Sequence, residues 1–296
     1  MEKRASEDTF FLLVRTDCEA TQHRVNDAAL GERSVRGLAE LLEGEGLTGT
    51  FMVLPTDAEA SPALYRDVAA SGFEIGLHIH PADQGYEEFL GIYGPDQQRA
   101  IIGEASTRLA NVMCSTARSV CPGYHSANDH TFPVLAELGF QQGQVSMPTR
   151  VLPECASVWA GAPLEVHYAH PYNRVLAGTL DFVEIPPTVD PDSRMWGGKH
   201  PLDLRVELVD AKNHWYTIAK AVDRQLRENS PVKLISITTH NTFEYGLAGD
   251  FRRQTLEKML QAVRQIVASK GCVLRGVTCA QLAAEVRKVC PRAVEG

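Results

Sequence analysis

The sequence has few of the patterns that join cysteines to one another or to a metal. Its seven cysteines are odd in number and scattered, and no two of them form a Cys-X-X-Cys motif. Such a set suggests neither a zinc knuckle nor a disulfide framework. Free cysteines in this number are typical of a reducing compartment. We therefore expect a cytoplasmic protein.

Long apolar runs and clusters of positive charge are also missing. The apolar segment nearest the N-terminus, 10–14, is too short for a signal sequence or a membrane span, and it predicts a first buried strand instead. The chain has 29 Lys and Arg against 37 Asp and Glu, which gives a net charge of −8. Because binding to nucleic-acid phosphates needs clustered Lys and Arg, we expect no nucleic-acid partner.

Short apolar segments alternate along the chain with segments that have the helical period. The predicted strands are 10–16, 50–54, 73–80, 119–124, 139–145, 179–185, 233–239 and 272–278. The predicted helices are 26–45, 61–70, 95–113, 129–138, 213–229, 251–269 and 279–289. Alternation of this kind predicts a mostly parallel α/β sheet, open or closed into a barrel.

The count of seven or eight strand–helix units favours a single barrel-like domain of about seven strands. With 296 residues, 44% of them hydrophobic, the chain fits one large α/β domain or two small ones, and the number of units favours one domain over 1–296. The segment 151–204 is rich in proline and irregular, and we interpret it as a long surround of the active site with one strand inside it.

Polar residues follow several predicted strands, at the edge where barrels of this kind place their chemistry. These residues are Asp17, Glu19, His78, His80, Tyr124 and His240.

Four of these residues form two pairs, and one residue separates the two members of each pair. Asp17 and Glu19 share a face of an extended strand, as do His78 and His80, because side chains alternate along a strand. Two imidazoles and a carboxylate can hold a divalent metal with a position open for water, and a second carboxylate can take the proton of that water. A helix cap would explain one acid but not two. The pattern therefore outlines a hydrolase site.

Other candidates give weaker signals. His240 ends an apolar strand, where burial and a nearby carboxylate can tune the pKa of a general acid. The segment 121–129 is either plain turn chemistry or part of an oxyanion hole, and both readings stay open. The remaining candidates are more typical of substrate contact, the surface or the core: His125, His130, His167, His170, Trp159, Trp196 and Trp215.

These motifs together resemble the polysaccharide deacetylase superfamily, carbohydrate esterase family 4 and its relatives. The first motif, an acidic pair after strand one, is similar to 16–19, and the histidine motif is similar to 76–81. The third motif resembles 121–124 followed by 135–140, and the last resembles 234–240. The resemblance spans about 10–289 and implies a distorted barrel that removes acyl groups with a divalent metal, usually zinc.

Three positions depart from the family pattern. The acids are usually adjacent, whereas Cys18 separates them here, and the histidines are usually four apart rather than two. The third motif commonly has an arginine where this chain has Cys121, and the nearest arginine in sequence is Arg118.

The resemblance implies roles for the two pairs. Asp17 would be the general base, and Glu19, His78 and His80 would be the metal ligands. The alternative is that Asp17 binds the metal directly and Glu19 orients it.

The resemblance also implies an activity. His240 would protonate the leaving group, and the N–H of Tyr124 would help to hold the oxyanion. We expect a zinc-dependent deacetylase whose partner is a small-molecule or carbohydrate substrate, in particular an N-acetylated sugar or a polysaccharide precursor. Two alternatives are a metal-independent amidase of a ureide-type amide and a catalytically silent carbohydrate-binding relative.

Overall fold

A curled, mostly parallel sheet forms the centre of the protein. The computed structural model describes residues 8–292. Eight strands lie in the order β12-β1-β2-β3-β4-β5-β9-β8, and β13 pairs with the first half of β1. Their bounds are Thr9–Cys18 (β1), Thr50–Val53 (β2), Glu74–Ile79 (β3), Ser119–Pro122 (β4), Gln142–Gly143 (β5), His167–Tyr168 (β8), Val183–Glu184 (β9), Lys233–His240 (β12) and Val273–Val277 (β13). The prediction of a distorted (β/α) barrel is confirmed.

Helices follow the parallel strands and cover the outside of the sheet. Their bounds are Ala28–Gly44 (α1), Pro55–Ala60 (α2), Pro62–Ala70 (α3), Pro95–Met113 (α4), Thr131–Glu137 (α5), Ala211–Arg227 (α6), Phe251–Ser269 (α7) and Cys279–Val289 (α8). Their apolar faces pack on the strands and form the main core with them. Between residues 8 and 292, no helix is long and apolar enough to cross a membrane.

Irregular backbone completes the barrel between β9 and β12. The N–H of Leu204 donates to the carbonyl of Thr188, and the N–H of Thr238 in β12 donates to the carbonyl of Leu204. Across the interior, the side-chain amide of Gln144 donates to the hydroxyl of Ser236 at 2.7 Å. These bonds satisfy buried polar groups on the side of β12 that faces away from β1, where no regular strand of residues 8–292 pairs with it.

The segment 151–204 differs from the prediction of one strand in an irregular stretch. It contains six short strands, namely β8 and β9 of the main sheet together with β6 (Val151–Leu152), β7 (Ser157–Val158), β10 (Val189–Met195) and β11 (His200–Asp203). The pairs β6–β7 and β10–β11 form two small antiparallel sheets. The predicted strand 179–185 contains β9. β6, β7 and β8 have two residues each and are too short to show an alternating pattern, so the sequence gives no signal for them.

The parallel register brings the ends of β12, β1, β2, β3 and β4 to one edge of the barrel. Asp17 in β1 lies opposite His240 in β12, and His78 in β3 lies opposite Cys121 in β4. The polar residues predicted at strand ends therefore meet on the same side of the sheet.

Candidate active site

Glu19 and the two histidines of β3 converge on one point. The Oε2 atom of Glu19 lies 2.9 Å from Nε2 of His80 and 3.3 Å from Nε2 of His78. Both imidazoles are buried, and their ring centroids are 4.9 Å apart. Burial would raise the pKa of Glu19, but the hydrogen bonds from the two histidines lower it well below its usual value.

The other nitrogen of each ring has a partner that fixes its orientation. Nδ1 of His78 lies 3.0 Å from the carbonyl oxygen of Cys121, and Nδ1 of His80 lies 2.6 Å from Oε1 of Glu88. A carbonyl oxygen only accepts, so Nδ1 of His78 carries the proton and its Nε2 offers a lone pair when the ring is neutral. Burial alone would lower the pKa of His80, and Glu19 and Glu88 raise it to about 10.

The loop that carries Glu19 is held by polar groups from two other elements. Asn241, just after β12, accepts from the N–H of Glu19 at 2.8 Å, and its side-chain amide donates to Asp57 at 2.8 Å. Asp57 in α2 also accepts from the N–H groups of Ala20 and Thr21. The position of the Glu19 carboxylate is therefore set by the fold.

Asp17 points into the same cavity, with different partners. Nη2 of Arg15 donates to Oδ2 of Asp17 at 2.9 Å, and Nη1 of Arg15 lies 2.9 Å from Sγ of Cys121. Arg15 and Asp17 are 2% and 4% exposed, so this is a buried ion pair. The second oxygen of Asp17 has no hydrogen-bond partner among the described residues. Its capacity to accept a hydrogen bond is therefore unused.

His240 lies on the far side of Asp17. Its Nε2 is 3.9 Å from Oδ2 of Asp17, and its Nδ1 is 3.5 Å from Oε2 of Glu207. Glu207 is itself held by the hydroxyl of Tyr245 at 3.1 Å and by the hydroxyl of Thr239. Burial would lower the pKa of His240, but the Glu207 carboxylate raises it above the ordinary value.

The turn after β4 brings backbone close to the histidines. Tyr124 and His125 both have a positive φ, 56° and 53°, which is uncommon for residues other than glycine. At Gly123, an added Cβ would collide with the ring of His80. Only glycine therefore lets the turn approach the imidazole this closely. The carbonyl of Tyr124 accepts from Nη1 of Arg150 at 2.8 Å, which fixes the peptide on that side.

The donors around Glu19 fit a divalent metal better than a second set nearby. One atom each of Glu19, His78 and His80 lie within 4.8 Å of one another, as do atoms of Asp17, His78 and Cys121. In the second set, however, the guanidinium of Arg15 already contacts both Asp17 and Cys121. A cation there would be repelled by this charge. The first set offers two nitrogens and a carboxylate, which suits zinc.

The weaker candidates fall in different places. His125 is buried at the wall of the cavity, and burial lowers its pKa well below the usual value. Trp196 also lines the cavity, whereas Trp159 is fully buried in the core. The residues that do not line the cavity are His130, His167, His170 and Trp215.

Three residues of the site were not singled out from the sequence. Glu88 and Glu207 lie in segments without a strand or helix pattern, and nothing in the sequence relates them to His80 or His240. Arg15 could have been found, because it is two residues before Asp17 in a strand and therefore shares its face.

Comparison with known proteins supports the family resemblance. Residues 25–143 match the family model of the polysaccharide deacetylases, over a segment that contains His78, His80 and Tyr124. The resemblance to the polysaccharide deacetylase superfamily is confirmed. A search of curated proteins finds no match to the sequence.

Solved structures share the fold at low sequence identity. A Mycobacterium smegmatis protein classed with the polysaccharide deacetylases has a TM-score of 0.64 and 18% identity, over 100% of this chain and 96% of its own. The PuuE allantoinase has a TM-score of 0.60 and 14% identity, with 96% and 92% covered. A Pseudomonas aeruginosa PAO1 protein, also classed with the polysaccharide deacetylases, has a TM-score of 0.60 and 16% identity, with 95% and 92% covered.

Proposed function

We propose that the protein is a metal-dependent hydrolase that removes an acetyl group from an N-acetylated sugar or a polysaccharide precursor. The observation that carries the proposal is the convergence of Glu19, His78 and His80 on one point, with Asp17 and His240 beside it. A bound divalent ion, such as zinc, would polarise the acyl carbonyl and lower the pKa of a water.

In this proposal the two acids have different roles. Glu19 binds the metal together with His78 and His80, because its carboxylate faces both Nε2 atoms. Asp17 is the general base, because one oxygen accepts no hydrogen bond from the described residues and the other is held by Arg15.

The remaining groups handle the leaving group and the developing charge. His240, held by Glu207, is placed to give a proton to the leaving nitrogen. The left-handed turn at Tyr124 presents backbone beside His80, where an N–H can stabilise an oxyanion.

The test is metal analysis of the purified protein, followed by an assay of acetate release from N-acetylated sugars before and after chelation. We expect about one divalent ion per chain, loss of acetate release on chelation and its return when zinc is added. Amide hydrolysis that survives complete metal removal would instead favour the ureide-type amidase. Sugar binding without turnover at full metal occupancy would favour the catalytically silent relative.

A further inference from the structure

The cavity beside Glu19 is rich in arginine although the chain as a whole is acidic. The cavity has a volume of about 440 Å³ and is lined by Arg15, Arg24, Arg150 and Arg205. The net charge of the chain is −8. Positive charge is therefore concentrated at this cavity. The carboxylates near the four arginines decide whether this charge is available to a ligand.

The carboxylates of the cavity do not neutralise this charge. Asp17 forms an ion pair with Arg15, and Glu19 faces the two histidines. Asp203 remains for the other arginines. Burial would raise its pKa, but Arg205 and other nearby positive charges lower it, so this group is a carboxylate. One carboxylate therefore faces more than one guanidinium.

Arg205 lies next to the proposed catalytic groups, and its charge interacts with Asp203 without a direct contact between the two side chains. Within the described chain its side chain forms neither a hydrogen bond nor a salt bridge, and its guanidinium lies over the ring of Trp196 at 5.6 Å. The backbone of Arg205 pairs with Thr238, two residues before His240. Trp196 in turn stacks on His200 with centroids 4.2 Å apart. The contact with Trp196 places the guanidinium of Arg205 at the cavity wall.

Arg150 extends this positive surface toward Tyr124. Its Nε donates to Nδ1 of His200 at 3.0 Å, and its Nη1 donates to the carbonyl of Tyr124 at 2.8 Å. Its Nη2 has no partner in residues 8–292. Arg150 is 5% exposed, and a buried guanidinium without a carboxylate in contact is costly. Burial lowers its pKa to about 10, which reflects this cost. A bound anion would offset it.

We propose that the substrate carries an oxyanion group, a carboxylate or a phosphate, and that Arg205 and Arg150 bind it. The planar, forked guanidinium suits both groups. Because Arg205 lies beside His240, the oxyanion belongs to the part of the substrate that keeps the nitrogen. One element of this inference rests on the proposed function, namely that the part of the substrate that keeps the nitrogen is an amino sugar.

The test measures binding of three amino sugars that need no turnover: glucosamine, glucosamine 6-phosphate and muramic acid. They form a matched set of amino sugars, one without an anionic group, one with a phosphate and one with a carboxylate. Calorimetry with the zinc-loaded protein should show at least one anionic sugar binding about tenfold or more tightly than glucosamine, as expected for charge-assisted hydrogen bonds. Tighter binding of muramic acid assigns a carboxylate, and tighter binding of glucosamine 6-phosphate assigns a phosphate.

Two variants and a control connect this preference to the arginine. Arg205→Gln should lose most of the preference for the anionic sugar, and Arg205→Lys should keep part of this preference. Arg36→Gln should keep it fully, because Arg36 pairs with Glu32 on the surface of α1. Equal affinity for the three sugars, absence of binding, or an unchanged preference in Arg205→Gln overturns the proposal.

Acetate release from the three N-acetylated counterparts separates this inference from the proposed function. An anion preference without release refutes the hydrolase and leaves the recognition by Arg205 standing. Release without a preference refutes the recognition alone.

Discussion

Arg15 and Asp17 form a buried ion pair along one face of β1, with Nη2 of Arg15 2.9 Å from Oδ2 of Asp17. The other end of the guanidinium contacts Cys121, the position where the family resemblance led us to expect an arginine. The guanidinium that holds the proposed base therefore comes from the same strand as the base itself. Arg118, the nearest arginine to Cys121 in sequence, instead donates to the carbonyl of Gly139.

We predict that Arg15 positions Asp17. Arg15→Lys should lower kcat by about 10²-fold, the scale of an effect from small misplacement, with little change in KM or metal content. Arg15→Met should also lower the free energy of unfolding by roughly 3–5 kcal/mol, because it leaves a buried carboxylate unpaired. Steady-state kinetics and urea unfolding measure the two effects.

A double variant separates positioning from a general loss of structure. Arg15→Lys combined with Asp17→Asn should be no slower than Asp17→Asn alone, because the residues act as a unit. The matched control is Arg118→Lys at the surface, which should behave as wild type. Additive losses in the double variant would contradict the role of Arg15.

The two acids should respond differently to the loss of charge. Asp17→Asn should keep the metal and lose activity by roughly 10²–10⁴-fold, the usual contribution of a general base. Glu19→Gln should lose metal as well as activity, since it removes a ligand. Metal content and acetate release are measured on the same samples. Exchanged outcomes would make Asp17 the ligand, and two fully active variants would refute the hydrolase.

The pH dependence of kcat should report the interaction of His240 with Glu207. As a general acid, His240 must be protonated, so activity falls as the pH rises through its pKa. The Glu207 carboxylate raises this pKa, and Glu207→Gln should therefore move the alkaline limb to lower pH. Asp210→Asn is a matched control, because Asp210 caps α6 by accepting from the N–H of Asn213. An unmoved limb in Glu207→Gln would show that His240 is not the acid.

Gly123→Ala should weaken metal binding, because the new Cβ collides with the ring of His80. We expect a loss in metal affinity of about 10–100-fold, comparable to the loss of a partner that orients a ligand. Gly103→Ala in α4 is the control, since its Cβ meets no atom within 4 Å. Competition with a coloured chelator gives both affinities. Equal affinities would mean that His80 moves freely or does not bind the metal.

The sequence was informative where a pattern is local and regular. The segment 95–113 coincides with α4 and 251–269 with α7, because long amphipathic helices repeat their signal over several turns. The pairs at Asp17 and His78 were visible for a similar reason, since a period of two places both members of each pair on one face. These pairs define most of the candidate site.

The contacts that complete the site could not be predicted in this way. Glu88 bonds to His80 from an irregular loop, and Glu207 reaches His240 from a segment 33 residues earlier. Such pairs depend on the path of the whole chain rather than on a repeating pattern. The short strands β6, β7, β8, β10 and β11 were missed for the same reason, because pairing with other segments defines them.

The position of β1 between β2 and β12 has a consequence for how the protein is made. β1 is the first strand of residues 8–292, yet Asp17 lies opposite His240 and Glu19 is held by Asn241. Contacts between such distant residues form slowly, because the entropy of closing a long loop must be overcome first. A growing chain on the ribosome therefore cannot complete this site until residue 241 has emerged, and the earlier strands must stay protected from aggregation until then.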